Sequence, residues 1–328
     1  MKERLLTILR CPEHRSPLSL KNEERENKEI ISGELICEQC QESFPITNGI
    51  PRFTPKEHYS HTFGWQWNKY NKTQLDSHTG LSITRDRYKQ VCTWKNDLSE
   101  GWGLEAGCGA GRFSEVLADE SIDWVCLDAS SAVEANMNNN GHRKNIHIVQ
   151  ADLRFLPFEK KFFNRTFCLG VLQHTPNPKQ SFFNLEQYSR LDGEFAFDIY
   201  SKTTGTWYWS KYWVRPFTKR MSKQALFRLL EITVPFLLFV HDVMRFIPFV
   251  GRNLAHRLVP VCQYKYSFPF NKQQNLEWAL LDTFDMLSPE HDHPKSLEEI
   301  NQWVREVNPA SSKVDYGPNG IIGILTKT

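Results

Sequence analysis

At 328 residues the chain is long enough for one large domain with additions, or for two domains. Hydrophobic residues make up 40% and charged residues 24%, which excludes an intrinsically disordered chain. Forty basic against 38 acidic side chains leave a net charge of +2, too balanced for bulk electrostatics to select nucleic acid, although bases crowd into residues 211–265.

The opening MKERLLTILR lacks an apolar run long enough for a signal peptide, so a cytoplasmic protein is expected. In that compartment eight cysteines point to metal or to buried positions rather than to disulfides. Residues 1–54 hold CPEH (11–14) and CEQC (37–40), with 22 residues between the pairs. Cys11, His14, Cys37 and Cys40 together suit tetrahedral zinc. Four protein ligands leave no open position, so the expected role of the ion is structural. Cys92, Cys108, Cys126, Cys168 and Cys262 are scattered and read as small core residues. The module closes with FPITNGIPRF, whose Asn48-Gly49 pair predicts a hairpin turn.

Residues 55–100 are polar, spotted with aromatics and partly helical by pattern. Their FGWQWNKYNKTQLD stretch (63–76) is either part of a pocket or an amphipathic helix that docks the N-terminal module. From 101 to 200, the apolar runs GWGLEA, WVCLD, NIHIVQ, RTFCLGV and EFAFDIY alternate with the amphipathic pieces RFSEVLADE and PKQSFFNLEQYSRL. That rhythm predicts a parallel sheet covered on both faces.

Residues 201–292 interrupt it with an aromatic and basic insertion. Its 225–262 part is strongly apolar but carries Glu231, His241, Asp242, Arg245 and three prolines, so no transmembrane span is expected. A buried helical lid over the acceptor is the primary expectation, and peripheral contact with a membrane or a lipid-linked acceptor is the alternative. Asp282, Asp285, His291, Asp292 and His293 either line an acceptor site or form a polar loop. In residues 293–328, Ser296 and Glu299 predict a capping box for the helix SLEEINQWVREV, and SSKVDYG and GIIGILTKT read as strands.

The chemistry concentrates in GLEAGCGAGRFSEVL (103–117), a strand, a turn with Gly107, Gly109 and Gly111, and a helix. Glycines let such a backbone turn sharply and approach a ligand. Glu105 precedes the turn, where a carboxylate can attract a cation or organise the loop. Asp128 ends the next strand, where an acid can accept from both hydroxyls of a ribose. Asp152 ends the third, placed to accept from an adenine amino group with help from the backbone near Leu153. Three acids on consecutive strand ends point to an adenosine-bearing ligand.

LEAGCGAGRF, LDAS, ADLRFLPF and CLGVLQHTPNPKQSF together resemble the class I S-adenosylmethionine-dependent methyltransferases of the small-molecule, type 11-like kind. The resemblance implies an α/β fold, a Rossmann-like seven-stranded sheet with a reversed last hairpin, preceded by the zinc ribbon and interrupted by the helical insertion. It also implies that Gly107, Gly109, Gly111, Asp128 and Asp152 hold S-adenosyl-L-methionine.

GVLQHTPNP lies at the carboxyl end of the fourth strand, where Gln173 faces the cofactor and His174 is either a general base or a scaffold residue. CEQCQESFPITNGIPRF resembles the zinc ribbon related to the activator subunit of eukaryotic tRNA and release-factor methyltransferases. In that family the first pair is commonly two cysteines, so His14 is a departure. The FGWQW segment resembles one that follows such a ribbon in some bacterial methyltransferases, among them enzymes of sugar and surface-glycan biosynthesis.

The expected function is therefore O-methylation of a sugar, a glycan intermediate or another small molecule. RNA base methylation through the ribbon is the competing reading. The ribbon's acids, Glu13, Glu23, Glu24, Glu26, Glu29, Glu34, Glu38 and Glu42, argue against phosphate binding.

Overall fold

A computed structural model of the chain describes residues 1–54, 61–202, 205 and 208–328, with the backbone alone at 61–63 and 65. The side chains of Phe63 and Trp65, and Trp207 of the insertion's aromatic stretch, lie outside the described residues. In chain order, α1 (Glu3–Leu6) precedes a four-stranded antiparallel sheet of β1 (Leu18–Glu26), β2 (Glu29–Cys37), β3 (Ser43–Thr47) and β4 (Ile50–Pro51). Helices α2 (His61–Lys69), α3 (Asp76–Thr79) and α4 (Ile83–Val91) follow. The core then alternates β5 (Trp102–Ala106), α5 (Arg112–Leu117), β6 (Asp123–Asp128), α6 (Val133–Asn140), β7 (Ile146–Gln150), β8 (Phe163–Cys168), α7 (Pro178–Glu186) and β9 (Ser189–Ile199). The insertion contributes α8 (Ser210–Thr218), α9 (Lys223–Met244), α10 (Gly251–Leu258) and α11 (Lys272–Leu287), and α12 (Leu297–Val307), β10 (Ser311–Gly317) and β11 (Gly320–Thr326) end the chain.

Two compact units result, one of residues 1–71, 82–201 and 293–328, the other of residues 72–81 and 202–292. The stretch 55–100, read from the sequence as one linker, is thus divided, with 72–81 joining the insertion.

In the first unit the larger sheet runs β10-β11-β9-β8-β5-β6-β7. Strands β5 to β9 pair in parallel, and the β10–β11 hairpin joins β9 antiparallel, which is the reversed last hairpin. Alternation along the strands sends side chains to two cores. Trp124 and Cys126 of β6 pack with Tyr88, Phe113, Val116 and Val133 of the helices on one face. Val125 and Leu127 point to the other, with Phe182, Leu185, Ile300 and Trp303. Leu5, Leu9, Leu35 and Phe44 of the N-terminal module belong to that second core, so the ribbon shares its interior with the sheet.

Local chemistry follows the sequence closely. Asn48 and Gly49 both take positive φ (54° and 72°), as the β3–β4 turn requires. Ser296 Oγ accepts from the Glu299 N–H and Glu299 reaches back to the Ser296 N–H, completing the capping box of α12.

In the second unit, α9 is capped by Ser222, whose side chain accepts from the Ala225 N–H, and contains Pro235. Leu226, Phe227, Leu230, Val234 and His241 line its buried face, and Phe227 meets Phe284 of α11 edge to face at 5.9 Å. A second apolar stripe of α9, at Leu229, Ile232, Phe236, Phe239 and Val243, is exposed. A 22-residue helix apolar on two sides has no single face for sequence periodicity to reveal.

Asp282 accepts from Gln74 and from the Tyr264 hydroxyl, and Asp292 pairs with Lys211 at 3.1 Å and Arg215 at 4.0 Å. These two acids tie the second unit together. No described helix is long and apolar enough to cross a membrane.

Candidate active site

The site is built at the carboxyl ends of β5, β6, β7 and β8. The turn after β5 places Gly107, Gly109 and Gly111 at φ 86°, 51° and 88°, a region open to glycine at little cost. A Cβ on Gly111 would lie 2.1 Å from Asn136 Oδ1, so that position needs glycine for space as well. The nearest atom to a Cβ on Gly109 would be the Trp67 ring, 3.6 Å away. Helix α2 thus brings one aromatic of the FGWQW segment to the turn. Asn68 Nδ2 fixes the helix there by donating to Ser131 O at 2.9 Å, and Asn139 Nδ2 donates to both Asn71 O and Ala110 O.

Glu105 is buried and accepts from Ser114 Oγ at 2.6 Å. Asn136 Nδ2 donates to Ser114 Oγ, and Asn140 Nδ2 donates to Asn136 Oδ1 and Gly111 O. This chain laces β5, α5, α6 and the turn, so of the two roles open to Glu105 the contacts supply the organising one. Burial pushes its carboxyl up to about 7.

Asp128 is held from two sides. Its Oδ2 accepts from the Gly109 N–H at 3.0 Å, and its Oδ1 from the Ser130 N–H and Oγ at 2.8 and 2.7 Å. Asp152, also buried, is gripped by Arg154, whose Nη2 donates to Oδ2 at 2.6 Å and whose N–H donates to Oδ1 at 2.8 Å. Leu153 O accepts from Asn184 Nδ2. The carboxylates are therefore oriented before any ligand arrives.

After β8, a single 3₁₀ turn at Leu172–His174 carries the last two expected residues. Gln173 is fully buried, and neither side-chain amide atom has a hydrogen-bond partner among the described residues. Its backbone oxygen accepts from the His293 N–H at 3.0 Å. A buried amide without partners costs about 1–3 kcal/mol. His174 is buried beside Tyr200, edge to face, with ring centroids 5.5 Å apart.

Sequence reasoning missed what positions this turn. Asp198, fully buried near the end of β9, accepts from Arg87 of α4 and from the Gly170 N–H. The available signal was an acid inside the apolar run EFAFDIY. Arg154 was also missed, although it lies two residues from Asp152.

The ribbon forms a separate centre. The ligand atoms of Cys11, His14, Cys37 and Cys40 all lie within 4.8 Å of one another, with Cys11 Sγ 3.7 Å from His14 Nδ1. Cys37 Sγ also meets Ser16 Oγ at 3.0 Å and the Cys40 N–H at 3.4 Å. Two tetrahedral zinc ligands at about 2.0–2.3 Å from the ion stand about 3.5–3.8 Å apart, a separation the Cys11–His14 pair already has at 3.7 Å, so the four side chains could hold zinc. The strand-end acids, open turn and orphan amide likewise fit an adenosine-bearing cofactor.

Comparison with known proteins matches the stretch of chain around each centre to a family. Residues 104–197 match the methyltransferase domain family, and residues 2–49 match the Trm112p-like protein family. Among curated relatives, a ubiquinone biosynthesis O-methyltransferase of Rickettsia canadensis is 28% identical over 109 residues, 32% of this chain and 45% of that protein. One from Coxiella burnetii is 25% identical over 101 residues, 30% of this chain and 43% of that protein. The chain thus spans less than half the length of the curated relatives it matches. A solved SAM-dependent methyltransferase of Thermotoga maritima covers 83% of this chain and 100% of its own, at 14% identity and a TM-score of 0.43.

Proposed function

We propose that this chain, which carries a methyltransferase domain behind a Trm112p-like zinc-ribbon module, is a class I S-adenosylmethionine-dependent methyltransferase acting on oxygen of a small molecule. The observation that carries the reading is the unpartnered Gln173 amide on the turn after β8, in the same matched domain as the glycine turn and the tethered acids. In this reading Gly109 leaves room beside the Trp67 ring, Asp128 receives the ribose hydroxyls, and Asp152 with the backbone at Leu153 receives the adenine edge. Gln173 satisfies its amide on the cofactor. When bound, the sulfonium supplies an already activated methyl group, so the chain's task is alignment and proton removal.

His174, held against Tyr200, is the residue we assign to take the acceptor's proton. Oxygen as the methylated atom is supported by the O-methyltransferase names of the relatives. A sugar or glycan-intermediate hydroxyl is the acceptor class we favour, and one presented at a lipid surface is compatible with the exposed face of α9. RNA is disfavoured by the chain's near-neutral net charge of +2.

Calorimetric titration with S-adenosylmethionine tests the cofactor half. Saturable one-to-one binding that Asp128→Ala weakens is expected, and absence of binding to the wild type would end the proposal. Labelled-methyl transfer into fractionated extract tests the acceptor half, and label confined to ribonuclease-sensitive material would overturn it.

A further inference from the structure

The second unit exposes an apolar surface. On α9, Leu229, Ile232, Phe236, Phe239 and Val243 follow the 3–4 spacing of one helix face, and all are exposed, Ile232 by 76%. The stripe runs into the turn between α9 and α10, where Phe246 is 84% exposed, Phe249 fully so, and Ile247 and Val250 by about half. Phe249 sits at φ 65° and Pro248 precedes it, so the apex is a sharp corner of apolar side chains. Leu254 and Leu258 continue the surface along α10. Contiguous apolar exposure of this kind marks an interaction surface.

Charge selects the occupant. From Val243 to Leu276 the sequence holds Arg245, Arg252, Arg257, Lys265 and Lys272 and no carboxylate. Arg252 and Arg257 are exposed on α10, and the Arg245 guanidinium lies 3.8 Å from the Tyr266 ring centroid. On α9 itself the acids are Glu231, which is exposed, and Asp242, which is bonded to Lys265, Tyr266 and Gln263. A two-fold pairing of this face with a second copy would set the same cations against one another. An anionic lipid surface offers both halves of the complement, acyl chains for the apex and headgroup phosphates for the arginines.

We propose that the α9–α10 hairpin is a membrane-docking element, with Phe246, Ile247, Phe249 and Val250 entering the headgroup–acyl boundary and Arg245, Arg252 and Arg257 meeting anionic phospholipid. The inference does not depend on the methyl-transfer reading.

Flotation of the full chain with vesicles tests it, using phosphatidylcholine alone and phosphatidylcholine mixed one to one with phosphatidylglycerol. Binding to the mixed vesicles is expected. Neutralising the three arginines to Gln should weaken partitioning on the order of a hundredfold, at about fivefold per cation. Phe246→Ser with Phe249→Ser should weaken it by about a hundredfold through lost apolar burial. Both variants change exposed or surface side chains, so an unchanged melting curve and circular dichroism spectrum confirm an intact fold. Equal binding to both vesicle types, no binding by the wild type, or a stable dimer broken by the Phe pair would each overturn the proposal.

Discussion

The chain gathers polar groups in two places in its first unit, at the ribbon's cysteines and at the glycine turn, and they differ in what they leave over. At the ribbon, four donors stand within 4.8 Å of one another and a single ion would consume them all. At the turn, each acid is already fastened to the chain, Asp128 to Gly109 and Ser130, Asp152 to Arg154, while the Gln173 amide stays unsatisfied. A closed set of donors stabilises a fold. Pre-oriented acids beside an unmet buried amide are what the proposed cofactor site requires.

The comparison can be broken at either end. The largest expected effect is at the ribbon, where Cys37→Ser with Cys40→Ser should abolish metal binding, measured as zinc per chain. It should also remove metal-coupled folding free energy on the order of 10 kcal/mol, read as a loss of the main melting transition. At the turn, Asp128→Ala should weaken S-adenosylmethionine binding by about a hundredfold in calorimetry, from the loss of hydrogen bonds to a charged acceptor. A fold unchanged in circular dichroism would separate that loss from the ribbon's collapse.

Gln173→Leu sharpens the contrast further. If the amide waits for a ligand, the variant should melt a few degrees higher and bind the cofactor about tenfold more weakly. A lower melting temperature would make Gln173 a structural residue.

Glu105 gives a pH test. Its carboxyl titrates at about 7 when folded against a usual 4.5, so the folded state holds the proton more tightly. Its stabilising contribution is complete below the unfolded value and is lost as pH rises toward 7. Glu105→Gln should therefore gain stability relative to the wild type between pH 5 and pH 8, by no more than about 3 kcal/mol. Parallel melting curves across that range would refute the assignment. The smallest effect lies outside both centres: Ser296→Ala should cost about 1 kcal/mol, the worth of one helix cap, seen as a melting point lower by a few degrees.

What the sequence made legible was local. The alternation of strand and helix, the Asn48-Gly49 turn, the Ser296 capping box and the strand-end acids each depend on neighbours a few residues away, and each has its counterpart in the fold. The ligation pattern of Cys11, His14, Cys37 and Cys40 was legible for the same reason, since each pair is closed by a short loop. Partner choice over long separations was not legible. Nothing near Asp198 announces Arg87, and nothing near Gly111 announces Asn136 and Asn140. The two-sided character of α9 stayed hidden because its apolar residues outnumber those one buried face can use.

The pairing of the ribbon with the sheet has a consequence for the edge of that sheet. Strand β7, Ile-His-Ile-Val-Gln, is an apolar sheet edge, and an open edge of that kind templates intermolecular strand addition. The chain closes it from within: Arg52 bridges Gln150, the Phe53 N–H donates to Gln150 O at 2.8 Å, and Pro51 cannot donate to any further strand. The opposite edge, β10, is protected differently, by exposed Lys313 and Asp315. A chain trimmed to begin after the ribbon would keep the charged border and lose the covered one, leaving β7 as a seed for aggregation.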